Sequence, residues 1–171
     1  MSEQSNGNVN PRSIENIIND AFSGDMLNNA LNFIAFLRAN EVIVNGAEVS
    51  YKGQPLCFMH IDKSTEEPGP WTIWTEGDYT SEHANVPMSK QMKEIAWAHA
   101  NICTNFISNG EHCGCGSQPG KRKVIFGKTF DNVCNADMAF YIPNAEALEC
   151  VKKLLLIRKY HIDNGNEDIN A

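Results

Sequence analysis

No run in the 171 residues approaches eighteen consecutive apolar side chains, so the sequence offers no candidate for a membrane-spanning helix. The first twenty positions are rich in Asn, Ser and Glu and lack the apolar centre of a signal peptide. A cytosolic location is the resulting expectation. Positive charge is scarce as well: 14 Lys and Arg against 21 Asp and Glu give a formal net charge of −7. That is the wrong sign for a surface that grips phosphate backbones, and the short basic run Lys121-Arg122-Lys123 does not reverse it. Nucleic-acid binding is therefore not expected. The chain also lacks a Cys-x-x-Cys pair, a glycine-lysine-serine or threonine phosphate loop and a dinucleotide fingerprint, which weighs against thioredoxin-like, nucleotide-hydrolysing and dinucleotide-binding chemistry. There is no domain linker, internal repeat or coiled-coil heptad, and the sequence leaves the oligomeric state open.

What is present is ordinary globular composition, 42% hydrophobic and 20% charged. A chain of this length can bury a hydrophobic core without disulfide or metal staples. One domain is expected over 10–162, between a loose polar leader at 1–9 and a frayed tail at 163–171.

Ile14, Ile17, Ile18 and Ala21 recur at helical spacing, and Gly24-Asp25 separates them from a second stripe, Leu27, Ala30, Leu31, Ile34 and Leu37, that continues to about Ala39. From Val42 the residues become β-branched and aromatic. Asn45-Gly46 reads as a hairpin turn because both residues tolerate positive φ, and Lys52-Gly53 marks a second reversal. Leu56 to Ile61 and Trp71 to Thr75 read as strands, with Trp71 and Ile73 facing opposite to Trp74. After an irregular stretch from Gly77 to Pro87, Ser89 is placed to cap a helix striped by Met92, Ile95, Ala96, His99, Ile102, Cys103 and Phe106. A glycine-punctuated loop from Glu111 to Lys123 follows. Val124 to Phe126 and Met138 to Ile142 read as strands, and Pro143-Asn144 opens a last helix carrying Leu148, Val151, Leu154 and Leu155. The order predicts a two-layer α+β domain, a mainly antiparallel sheet packed against helices, with a Cys/Gly-rich loop.

The stretch from Ser89 to Cys134 concentrates the distinctive chemistry. Four of the six cysteines, Cys103, Cys113, Cys115 and Cys134, lie here, with His99 and His112 among them. Thiolate sulfur and imidazole nitrogen are the ligands that tetrahedral zinc favours, and glycine-rich turns let nearby ligands converge. On a continuous helix His99 and Cys103 project side by side. The leading expectation is a non-enzymatic, metal-stabilised small-molecule-binding or regulatory domain, its zinc held by four of these six residues. An iron–sulfur cluster is the alternative cofactor, although Cys113-Gly114-Cys115 matches neither the usual zinc nor the usual cluster spacing. Cys57 and Cys150, inside apolar patterns, read as buried core thiols.

Two further readings need no metal. Trp71, Trp74, Trp97 and Tyr79 are placed to line a ligand-sensing aromatic pocket between sheet and helix, although core packing explains such residues equally well. Alternatively, a thiol-dependent or redox enzyme could use a cysteine of the 103–134 region, activated by His99 or His112.

Overall fold

In the computed structural model, which describes residues 12–66, 69–76, 87–103 and 120–164, the two N-terminal stripes form separate helices, α1 (Ile14–Ala21) and α2 (Gly24–Ala39). Ser13 caps the first by accepting from the Asn16 backbone N–H, which satisfies one of the orphan donors of the opening turn. Phe22 is extended, and the chain turns into α2 at Gly24, whose φ of +57° suits glycine.

Next come β1 (Ile43–Asn45), β2 (Glu48–Tyr51), β3 (Gln54–Ile61) and β4 (Trp71–Glu76). Asn45 pairs with Glu48 across Gly46-Ala47, and Tyr51 pairs with Gln54 across Lys52-Gly53. Gly46, Lys52 and Gly53 all have positive φ, the backbone twist that two-residue hairpin turns require. The remaining elements are α3 (Lys90–Ala98), β5 (Ala100–Ile102), β6 (Lys121–Ile125), β7 (Lys128–Tyr141) and α4 (Ala145–Asn164). The sheet runs β1-β2-β3-β4-β7-β5, with β6 pairing on β7, and every pairing is antiparallel.

The helices cover one face of this sheet. Phe33, Ile34 and Leu37 of α2, with Leu148, Val151, Leu154 and Leu155 of α4, share a buried core with Met59, Trp71, Ile73 and Phe140 of the strands. Each large apolar side chain so buried contributes about 1.5–3 kcal/mol before conformational entropy is counted. Alternation sends the intervening residues to the other face, where Phe58, Trp74 and Ala139 form one cross-strand row and His60, Thr72 and Tyr141 the next. The fold is thus the α+β arrangement that the periodicities predict: an antiparallel sheet packed against helices.

Three elements differ from expectation. The central helix ends at Ala98, not near Phe106: His99 is its C-cap, and its N–H still bonds back to Ile95 and Ala96. Ala100 and Ile102 then pair with Met138 and Val133, so strand pairing overrides a helical stripe that continues on paper. The last strand starts at Lys128 rather than Met138, because its first half is mostly polar, with Phe130 and Val133 three residues apart, and carries no period-two signal. The C-terminal helix extends through Asn164. There Asp163 accepts from Tyr51 Oη at 3.0 Å and Lys52 Nζ at 2.6 Å, and the Lys52 bond holds its carboxyl below the ordinary value. Among the described residues, no helix is long and apolar enough to cross a membrane.

Candidate functional site

Strand β7 is interrupted in its middle. Val133 is partnered by Ile102, and Met138 by Ala100, so on β5 only Asn101 stands opposite 134–137. On the β4 side Thr75 pairs with Met138 and Glu76 with Ala136, leaving Asp137 as the extra residue. A bulge of this kind leaves backbone groups without ladder partners, and buried groups must find others. Two side chains answer that need. Asn101 Nδ2 donates to Ala136 O at 2.9 Å. Lys123, projecting from β6, donates to Cys134 O at 3.0 Å, to Asn135 O at 3.5 Å and to the Asp137 carboxylate. Three donors on one ammonium meet three acceptors. Asp137 is fully buried and the Lys123 side chain is 18% exposed. At the far end of the same contact Gly120 lies so close to β7 that a Cβ there would sit 2.4 Å from the Asn132 carbonyl.

Cys103 and Cys134 lie beside this bulge. The Cys103 N–H donates to Asn132 O at 2.7 Å. Burial pushes the Cys134 thiol above its ordinary value, the neighbouring sulfur adds to this, and the Lys123 ammonium pulls the other way. The expected metal centre is not supported. Among the described residues, no three His, Cys, Asp or Glu side chains come close enough together to hold an ion. Zinc and an iron–sulfur cluster are therefore both withdrawn, along with the metal-stabilised domain and its cysteine-rich loop. Cys113, Cys115 and His112 lie outside the described residues, as does Tyr79. The physical reason on the described side is the early end of α3, which removes the helical neighbourhood of His99 and Cys103.

His99 turns instead onto Phe140, ring centroids 4.4 Å apart, with Nδ1 3.1 Å from Ala139 O. A carbonyl only accepts, so that nitrogen carries the proton of the neutral ring. Burial lowers the His99 pKa from its ordinary 6.5, and the Ala139 carbonyl partly offsets the effect. Below 6.5 the unfolded chain then binds the proton more readily than the folded one, so this contribution to stability is complete above that pH and declines as pH falls through the folded value. An NMR titration should place the His99 midpoint below 6.5 and show stability rising with pH toward neutrality. A midpoint above 6.5 would refute the buried neutral ring. Cys57 and Cys150 are fully buried, and burial raises the Cys150 pKa to about 12.

The tryptophans are dispersed. Trp71 is fully buried on the helix-covered face, its ring 5.8 Å from Phe22. Trp74 lies on the opposite face beside His60, at 6.4 Å between ring centroids. Trp97 of α3 donates from Nε1 to Ile125 O at 2.7 Å, and the Lys128 ammonium sits 5.3 Å from the centre of its ring. A cavity lies elsewhere, a cleft of about 660 Å³ between the start of α1, the β1–β2 hairpin and the end of β3. Its walls include Ile14, Ile17, Val42, Val44, Met59 and Ile61, with Arg12, Arg38 and His60 as polar groups. Arg12 pairs with Asp20 at 2.8 Å and Arg38 with Glu15, and their side chains are 72% and 62% exposed. Each guanidinium has five N–H donors, so these pairs leave donors for a ligand.

No family model, curated protein or solved structure matches this chain. Its function has to be read from these geometries. Sequence reasoning missed Lys123, Asp137 and Asn101, although one signal was present: Asp137 directly precedes the apolar run Met138 to Ile142, where a carboxylate drawn into the core needs a partner. It also missed Arg12 and Arg38, whose spacing along the chain carries no motif.

Proposed function

We propose that the protein is a metal-independent ligand-sensing domain that takes a small amphipathic anion in the cleft between α1, the β1–β2 hairpin and β3. The observation that carries this reading is the combination of apolar walls and two guanidinium groups in one cavity of about 660 Å³. That volume falls in the range of small-molecule sites, which pair apolar linings with a few polar groups that orient the ligand. Arg12 and Arg38 suit a carboxylate, since the guanidinium fork matches its two oxygens. Ile17, Val44 and Met59 suit an alkyl body. The aromatic part of the expected pocket contracts to Trp74, which touches the cleft only through its neighbour His60. A cytosolic setting belongs to the same reading and agrees with the free thiols of the described cysteines.

Calorimetry with sodium decanoate, and with decyltrimethylammonium of matched chain length, tests the proposal below their micelle concentrations. Decanoate should bind saturably, and Arg12→Gln with Arg38→Gln should weaken it by about tenfold or more, the equivalent of about 1.4 kcal/mol. The cation should not bind. Absence of saturable binding by decanoate, or equal affinity in the double variant, would sink the assignment.

A further inference from the structure

The ligand cleft has a backbone wall as well as side-chain walls. Its lining takes in Asn45, Gly46 and Ala47 at the tip of the β1–β2 hairpin, and Met59, His60 and Ile61 at the end of β3. Ladder pairing of β2 with β3 ends at Glu48 and Phe58, and the Met59 N–H makes one further bond, to Ala47 O at 2.7 Å. There the hairpin turns back. Strand β3 runs on through His60 and Ile61, with β4 on one side and, among the described residues, no strand on the other.

The bonds on either side of Ile61 fix the direction of its own backbone groups, because successive residues of an antiparallel strand address opposite neighbours. The Met59 N–H points to the hairpin, whereas the Asp62 N–H donates to Pro70 O at 2.9 Å, on the β4 side. Ile61 therefore shares the direction of Met59. The partner strand agrees: Trp71, opposite Ile61 in the register, turns its carbonyl away to accept from the Ile142 N–H at 2.8 Å. Ile61 and Trp71 are thus a pair without mutual hydrogen bonds, and the Ile61 N–H and C=O face the cleft.

We propose that the ligand of this cleft is an N-acyl amino acid. Its secondary amide pairs with the Ile61 backbone as one added rung of sheet, Arg12 and Arg38 hold its α-carboxylate, and its acyl chain lies along Ile14, Ile17 and Val44. This rests on the ligand-sensing reading above and narrows it from any alkyl carboxylate to one that carries an amide. A bare alkyl chain against Ile61 would take its N–H and C=O out of water without replacing their bonds, whereas a secondary amide brings one acceptor and one donor to match them. The charge of the ligand follows from the lining: its described residues include two arginines and no acidic side chain, in a chain of net charge −7. A local excess of positive charge on an acidic protein selects an anion.

Calorimetry and residue-resolved amide hydrogen exchange test the proposal on the full chain. The probes are N-heptanoylglycine, decanoate of the same chain length, and N-heptanoylsarcosine, in which a methyl group replaces the amide hydrogen. In the free protein the Ile61 amide should exchange at least about tenfold faster than that of His60, whose N–H points into the β3–β4 ladder. Saturation with N-heptanoylglycine should slow Ile61 exchange by about tenfold or more, and decanoate should leave it unchanged. N-heptanoylsarcosine should bind about tenfold more weakly than N-heptanoylglycine, since it leaves the Ile61 carbonyl covered and without a donor. Equal affinity for these two compounds, or an Ile61 amide already protected in the free protein, would overturn the proposal while decanoate binding kept the broader reading. Failure of all three compounds to bind would overturn both.

Discussion

Replacing Lys123 by methionine should lower the stability of the fold by about 3–5 kcal/mol, read as a shift of the urea midpoint at neutral pH. The size follows from what the substitution leaves behind. Asp137 has no exposed surface, and the substitution removes the ammonium paired with its carboxylate in a medium that solvates charge poorly. The Cys134 and Asn135 carbonyls lose a donor in the same step. If the charge accounts for most of the loss, the double variant Lys123→Met with Asp137→Leu should recover much of it, since apolar replacement of a whole buried pair is often neutral. A single-variant loss below about 1 kcal/mol would mean that the Asp137 carboxylate is satisfied without Lys123.

Trp71→Ala should also destabilise by about 3–5 kcal/mol, the usual range for truncating a large buried aromatic, and should leave decanoate binding by the native-like fraction unchanged. The ring is fully buried against Phe22 and is not part of the cleft lining. Trp71→Phe separates packing from polarity. Trp71 Nε1 has no hydrogen-bond partner among the described residues, and an unsatisfied buried donor costs about 1–3 kcal/mol. Phenylalanine removes that donor while keeping much of the aromatic bulk, so its effect on the urea midpoint should be small. A Trp71→Ala protein that keeps its stability but loses decanoate would return the residue to the ligand site.

These expectations mark how far the sequence could be read. The alternation that set Trp71 and Ile73 against Trp74 was legible because, among the described residues, helices cover one face of β4 and not the other. Glycine and asparagine likewise announced the tight hairpins, as Gly46 and Gly53 show. The helix ending at His99 was not legible: Ile102 and Cys103 continue the stripe of Met92 and Ile95, and only pairing with Val133, thirty-odd residues downstream, decides against the helix. The metal expectation failed with that error, because it needed His99 and Cys103 on one helical face. The expectation that Cys103 and Cys134 share one metal cluster fails with it, since among the described residues no three such ligands gather. The cleft depends on Arg12, Arg38 and His60, three residues that converge only through the tertiary fold.

Strand β7 has a kinetic consequence as well. The meander from β1 to β4 closes through short reversals and can form while the chain is still emerging from the ribosome. Trp71 to Glu76 gains its second neighbour only when 136–141 arrives, with α3, β5 and β6 lying between them in the chain. Non-local closure of that kind slows folding. The nascent chain must therefore keep the apolar edge of β4 unpaired until residues 136–141 have been made, and that waiting period is when it is most exposed to mispairing with another copy.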